Sequence, residues 1–377
     1  MSILFNAIDP GGENIDFAAM MSPKGKLAYE TYFKDCDLHG MGNNGLSTPA
    51  TNIYRCKDGR HFHVHGSMNT KPTQDMLGFL DMLGPSRELA KSQEPWVSYQ
   101  EKVAQMHSEE LQRLASDVYK QAGTICYSVE EYANSEHGKA NAHVGLYEIH
   151  AIKNVGQKAC WWPSTAETSA QRPLAGLKVV DLTRVIAAPA VTRGLAELGA
   201  SVMRITAEHI TDMSNLHIDL NWGKWNAHLD FREEEDREKL RDLIREADVV
   251  VQGYRPGVLD KYGFSVEGLL ELTKYRERGL IIVRENCYGW HGPWAHRSGW
   301  QQISDACCGV SVEFGRAMGN DEPVTPVFPN SDFCTGIIGV VAVLDAICRR
   351  GAEGGSYRVD VRCPCQARSV LMFLSLL

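Results

Sequence analysis

The sequence predicts a doubly wound α/β parallel sheet joined to a smaller α+β domain. Three observations lead there. Beyond residue 174, short apolar runs alternate with amphipathic helical patterns. Before it, strands are fewer, and Thr51–Gly66 (TNIYRCKDGRHFHVHG) reads as a hairpin turning at Lys57-Asp58-Gly59. Between them, KACWWPSTAETSAQRP is rich in Ser, Thr, Ala and Pro and reads as a connection. The expected division is therefore 1–165 for the smaller domain and 166–377 for the larger.

In the larger half, Leu177–Leu182 (LKVVDL) suits a buried parallel strand. A helix follows with Val191, Leu195 and Leu198 on one stripe and Gly199 as its stop. Ser201–Ile205 is the next strand. Glu233–Ala247 is a charged helix with Leu240, Leu243 and Ile244 inward, and Asp248–Tyr254 a strand. A helix over Val266–Thr273 leads to the strand Leu280–Arg284. Such alternation winds a parallel sheet whose ligands lie beyond the C-terminal ends of its strands. No G-x-G-x-x-G follows the first strand, so a dinucleotide site is not expected. In the smaller half, residues 73–83 and 108–121 read as amphipathic helices.

The bulk composition narrows the function. The 377 residues are 44% hydrophobic and 23% charged, the balance of a globular protein. A net charge of -8 argues against a nucleic-acid partner. No apolar run reads as approaching the ~20 residues of a membrane span, so no membrane partner is expected. The N-terminus lacks the basic region of a leader. The 11 cysteines follow no disulfide spacing, which suits a reducing compartment, and the expected location is cytoplasmic. Cys363-Pro-Cys365 is too tight for a typical zinc pair, and no metal is expected.

Three stretches carry candidate chemistry. His61, His63 and His65 share one face of a strand, which is either a ligand-bearing face or the polar side of a half-buried strand with Phe62 and Val64 inward. Gly40, Gly42 and Gly45 form a loop able to approach a ligand with its backbone, or a plain turn. Asp332 opens a long apolar helix running from Phe333 to about Arg350. There it is either an ordinary N-cap or an anionic group favoured by the helix dipole.

Leu174–Pro189 (LAGLKVVDLTRVIAAP) closely resembles the opening of the family III CoA-transferases. That group, of CaiB/BaiF type, includes formyl-CoA transferase, carnitine CoA-transferase and alpha-methylacyl-CoA racemase. LAELGASVMRI (195–205), LNWGKWNAHLD (220–230), ADVVVQGYRPG (247–257), YGWHGPWAHRSG (288–299) and SDFCTG (331–336) resemble successive family motifs in order, and YRVDV (357–361) the strand that follows. The chain looks like a fungal-type member. Its first half resembles the family's C-terminal part: Asn52–Val64 the start of the small domain, Gly40–Gly45 the active-site glycine loop, Trp162–Pro173 the closing segment. The order is thus C-part before N-part, as in a circular permutant, a piece of a tandem duplication or a truncated chain. The apolar ending SVLMFLSLL fits truncation or a missing partner.

The resemblance implies a Rossmann-like large domain, a homodimer of interlocked subunits, and acyl-CoA and a carboxylic acid as substrates, with no permanently bound cofactor. It implies that Asp332 attacks the acyl-CoA carbonyl, giving a mixed anhydride and then an aspartyl-CoA thioester. Coenzyme contacts fall, by position, on Val185, Ile186, Leu229, Arg232, Tyr254 and Lys261. Five positions depart from the pattern: Thr206 and Ala207 replace an acidic and a basic residue, Gly253 an Asn, Trp300 a Tyr, and Gln301 a carboxylate. The racemase branch needs a histidine where Trp300 stands, so transfer is favoured over racemisation. A noncatalytic, partner-dependent subunit is the remaining alternative.

Overall fold

The computed structural model describes residues 7–8, 14–15, 31, 35–39, 48–66, 68–79 and 95–363. The strands used below are β1 (Asn52–Arg55), β2 (His61–Val64), β3 (Gly123–Ile125), β4 (Tyr147–Ile152), β5 (Lys178–Leu182), β6 (Ser201–Thr206), β7 (Lys224–His228), β8 (Val249–Gln252), β9 (Ile281–Asn286) and β10 (Ser356–Arg362). The chain forms two compact units. One takes residues 1–38, 147–285 and 332–361; the other takes 39–146, 286–331 and 362–377. The expected boundary at 165/166 is thus replaced by interleaved segments, because each unit draws on both halves of the chain.

The larger unit is built on a seven-stranded sheet in the order β4-β10-β9-β8-β5-β6-β7. β5 pairs in parallel with both β6 and β8, β6 with β7, and β8 with β9. The edge strand β4 runs antiparallel to β10. From β5 the chain winds outward in one direction through β6 and β7, and in the other through β8, β9 and β10. The winding reverses between β5 and β8, and ligands of such sheets bind beyond the strand ends at that place.

Alternate strand residues supply the two faces. Val179, Val249, Val251, Ile281 and Val283 pack under the helices Ala187–Glu197 and Asn330–Glu353 through Val191, Leu195, Ala342, Val343 and Ala346. Val180, Leu182, Val250 and Ile282 pack against Leu240, Ile244 and Leu269 of the helices Glu234–Glu246 and Val266–Thr273 on the other face. The expected doubly wound α/β class is what the structure has.

The helix Asn330–Glu353 corrects the reading that no apolar run approaches a membrane span: by length and composition it is able to cross one. Part of it is a core element in this fold. A Cβ added at Gly336 would lie 2.5 Å from Ala190 Cβ, one at Gly339 2.4 Å from Val191 Cγ2, and one at Gly194 2.6 Å from Val340 Cγ2. The glycines let this helix lie closer to Ala187–Glu197 than any side chain allows. Contact positions rise together along both helices, so the two run parallel.

A buried ion pair ties this face together. Lys224 Nζ, at the start of β7, reaches past β6 to Asp181 Oδ2 of β5 at 2.9 Å, and both side chains are fully buried. Lys224 Nζ also donates to Pro189 O (3.0 Å) and Thr192 Oγ1 (2.7 Å), at the N-terminal half of the helix Ala187–Glu197. Asp181 further accepts from Thr183 Oγ1 and Thr192 Oγ1.

The smaller unit holds the antiparallel sheet β1-β2-β3, with Tyr54, Phe62, Val64, Tyr99, Leu111 and Ile125 in its core. The hairpin stands where the sequence places it. The expectation for 73–83 becomes a helix over Lys71–Met76, with residues 80–83 outside the described set. That for 108–121 becomes Ser108–Arg113 continued by a wider turn to Val118. The histidines correct the picture of a half-buried strand with a wet face, since His63 and His65 are buried along with Phe62 and Val64. Burial pushes His63 down to about 4 and His65 to about 3, so both are neutral at physiological pH. His65 stacks on Trp300, ring centroids 5.7 Å apart.

Removing one member of a buried pair leaves the other charge uncompensated. Lys224→Met is therefore expected to lower the unfolding free energy by about 3–5 kcal/mol, read from guanidinium denaturation curves.

Candidate active site

The loop leaving β5 is shaped by Asp181 below it and Asp212 beside it. Thr183 hydrogen-bonds to Asp181, and the Val185 N–H donates to Asp212 Oδ1 at 3.1 Å. Val185 is held at φ 69°, a conformation that β-branched residues avoid and that tends to mark functional turns. Ile186 then caps the helix Ala187–Glu197. These are the two positions to which the resemblance assigns backbone contacts with the coenzyme. In this structure the Val185 N–H is already engaged by Asp212.

Asp212 organises the neighbouring strand end. It pairs with Arg204 of β6 (2.5 Å), and His217 Nε2 lies 3.2 Å from it. Burial works to raise the Asp212 carboxyl, but His217, the Arg204 guanidinium and the Met213 N–H together hold it below the ordinary carboxylate range. Above this pair lies a cavity of about 50 Å³ whose lining includes Thr183, Arg184, Arg204, Thr206, His228 and Tyr254. The segment 35–38 also walls it: Cys36 N–H donates to Ser214 Oγ (2.6 Å), and Cys36 O accepts from Asp212 N–H (2.9 Å). The cavity is small beside the roughly 300–1,000 Å³ of typical small-molecule sites. Its place, between the ends of β5, β6 and β8, is the reversal point of the sheet.

The remaining expected contacts are spread around this end. Leu229, just after β7, is buried, and its N–H donates to Thr206 O (2.9 Å). Tyr254 lines the cavity. Arg232 lies outside it and clasps Asp230, with Nε 2.9 Å from Oδ1 and Nη2 2.5 Å from Oδ2. Those Arg232 bonds hold the half-buried Asp230 carboxyl at about 2. Lys261 sits on a short turn with its ammonium 4.8 Å from the Tyr262 ring centroid, also outside the cavity lining. Gly40, Gly42 and Gly45 fall outside the described residues.

Asp332 lies inside the first turn of the helix Asn330–Glu353 rather than at its N-cap. Since Gly336 meets Ala190 and the two helices run parallel, Asp332 stands one helical turn further toward the strand ends, level with Ile186. The fold thus brings Asp332 and the β5 loop to one end of one face.

The smaller unit holds the residue preceding the aspartate. Ser331 Oγ donates to the buried Asp305 (2.8 Å), which also accepts from Gln301. Gln301, at the position where the resemblance expects a carboxylate, is therefore a donor to one four residues further on.

The CoA-transferase family III model matches residues 174–375. The chain belongs to CoA-transferase family III. It is 52% identical over 363 residues to "Acetyl-coenzyme A transferase nodX" of Hypoxylon pulicicidum, covering 96% of this chain and 60% of that protein. It is 36% identical to an "Acyl-CoA transferase" of Gibberella moniliformis, covering 85% and 56% respectively. Among solved structures, a CAIB/BAIF family protein from Brucella suis matches at 29% identity with a TM-score of 0.46, over 54% of this chain and 58% of that one. The chain spans about 60% of the length of its fungal relative. The alignment with that relative runs through both halves in a single order, so the relative carries its segments in the same sequence.

Several site residues were not legible as such. Arg204, Asp212 and Arg184 look like scattered surface charges, and only the turn after β6 brings them together. Gly253, a departure from the family pattern, has a steric reason. A Cβ there would stand 2.8 Å from Ala188 Cβ, so the strand end and the helix start exclude any side chain. Gly253→Ala is accordingly expected to cost about 1–3 kcal/mol by overpacking, seen as a lowered denaturation midpoint at unchanged slope.

Proposed function

We propose that this family III chain transfers CoA between an acyl-CoA thioester and a carboxylic acid, with Asp332 as the nucleophile. The observation that carries the reading is the placement of Asp332. Its carboxylate is in the first turn of a 24-residue helix, where the positive end of the dipole favours an anion. Parallel packing on the helix Ala187–Glu197 brings it beside the β5 loop at the sheet's reversal point.

The reaction proceeds by exchange between carboxylates. Asp332 attacks the donor carbonyl carbon, the C–S bond breaks, and the electron pair leaves on sulfur as CoA thiolate. The thiolate attacks the aspartyl carbonyl of the mixed anhydride, releasing the donor's carboxylate and leaving an aspartyl-CoA thioester. The acceptor carboxylate opens that thioester, and the returning thiolate completes the new acyl-CoA while restoring Asp332. Each step exchanges one leaving group for another, and the covalent route divides one difficult exchange into easier ones. The cavity edge and the Val185–Ile186 turn receive the pantetheine end. Tyr254 is the aromatic surface nearest the coenzyme's adenine, Leu229 a wall beside it, and Arg232 and Lys261 the cations for its phosphates. Arg232 exchanges Asp230 for phosphate when it binds.

The names of relatives support this reading, among them an "Acetyl-CoA:oxalate CoA-transferase" of Acetobacter aceti at 31% identity. A homodimer is the working assembly. The compartment is the cytoplasm, which accords with ten described cysteines that are all free thiols.

Incubation with a panel of acyl-CoAs, trapping with hydroxylamine or borohydride and peptide mapping by mass spectrometry tests the nucleophile. Modification is expected at Asp332 and absent in Asp332→Ala. A folded, CoA-binding protein that gives no adduct with any donor overturns the reading.

A further inference from the structure

We propose that Glu285 is a second carboxyl group of the acyl-transfer centre, donating a hydrogen bond in its protonated form to the carbonyl oxygen that Asp332 attacks. This rests on the reading of Asp332 above and adds the group that receives the developing negative charge.

The argument starts from register. Val251 of β8 lies opposite Asp181 of β5 on one side and Val283 of β9 on the other. Two residues further on, the same row is Thr183, Gly253 and Glu285, at the C-terminal ends of three adjacent strands. Ile281 and Val283 belong to the face covered by the helices Ala187–Glu197 and Asn330–Glu353, and Glu285 continues that alternation. Its side chain turns across the row: Oε2 is 3.8 Å from where a Gly253 Cβ would stand, a point itself 2.8 Å from Ala188 Cβ and 3.7 Å from Thr183 Cβ. Glu285 thus reaches into the corner between the reversal point and the start of the helix after β5. Asp332 stands at the same level on the neighbouring helix. With no side chain at Gly253 the strand end meets the helix start directly, and the Glu285 carboxyl lies beside that contact.

The Glu285 carboxyl makes no hydrogen bond or ion pair among the described residues. It is surrounded by protein while keeping some access to solvent, and burial by itself pushes its carboxyl up to about 7. The charged groups on the elements around it are Asp181, Arg184, Arg255, Arg284, Asp360 and Asp332. Asp181 is held by Lys224, and Arg284 by Asp360 at 2.8 Å. A structural carboxylate at a strand end is ordinarily paired or wet, because an unpaired buried charge is costly. A neutral carboxylic acid in such a corner is a hydrogen-bond donor.

As Asp332 forms its bond to the carbonyl carbon, the π electrons move onto oxygen and the Glu285 O–H stabilises that charge. When the C–S bond breaks, the carbonyl reforms and the electron pair leaves on sulfur. Glu285 keeps its proton throughout. The donor is present below its titration and lost as pH rises through it.

Wild type, Glu285→Gln and Glu285→Ala are compared by the rate of Asp332 labelling with acetyl-CoA across neutral pH. Acetyl-CoA binding is also followed calorimetrically in buffers of different ionisation enthalpy. Glu285→Ala is expected to slow labelling by about a hundredfold with acetyl-CoA affinity little changed. Glu285→Gln, which keeps an N–H donor but no titrating proton, should retain most of the rate and lose the decline at alkaline pH. Wild type should take up protons on binding above neutrality, and Glu285→Gln should not. Wild-type labelling in Glu285→Ala, or binding without Glu285-dependent proton uptake, overturns the proposal and leaves Asp332 standing. If no donor labels Asp332 while that uptake persists, the aspartate reading falls and the contact of Glu285 with the thioester stands.

Discussion

The contact between Asp181 and Lys224 sets the geometry on which the larger unit's functional end depends. A charged pair with no exposure is tolerated because every part of it is answered. The ammonium meets a carboxylate, a hydroxyl and a carbonyl, and the carboxylate meets two hydroxyls besides. These partners come from β5, β7 and the helix between β5 and β6. The pair therefore fixes how the helix start sits over the strand ends. Thr183, the first residue beyond β5, is one of the partners, so the loop that turns through Val185 leaves from a constrained point.

From that point the site is assembled by direct contact. Asp212 draws the Val185 amide and the Arg204 guanidinium to the β6 side. The glycine contacts between the parallel helices bring Asp332 to the other side. Gly253 lets the strand end meet the helix start, and the Glu285 carboxyl lies beside that contact. Each group arrives on a different element, and the sheet supplies their common level.

Much of the larger unit was legible because buried parallel strands are written as apolar runs: LKVVDL, VVVQ and LIIV need no partner to be recognised. β7 (KWNAH) was not, since an edge strand with exposed side chains carries little apolar pattern. Nor was the interleaving of the units visible, because β4 reaches β10 across some two hundred residues and local periodicity holds no information about such pairing. Asp332 stood out through its position before a long apolar helix and through family motifs. Glu285 is one glutamate in a strand, and it acquires meaning only from lateral register with Gly253 and Thr183, which no single stretch of sequence displays.

The paired helices act as a ruler. Where backbones touch through Gly336, Gly339 and Gly194, neither helix slides or rolls without collision, so shape helps to set the height of Asp332 above the sheet. One side of the long helix is thereby closed to sequence drift, since any added carbon lifts the aspartate away from its neighbours. The side bearing the exposed Ile337 and Val341 has no such restriction. Change in the surrounding loops is thus accommodated, while the spacing between Asp332 and the strand ends stays the same.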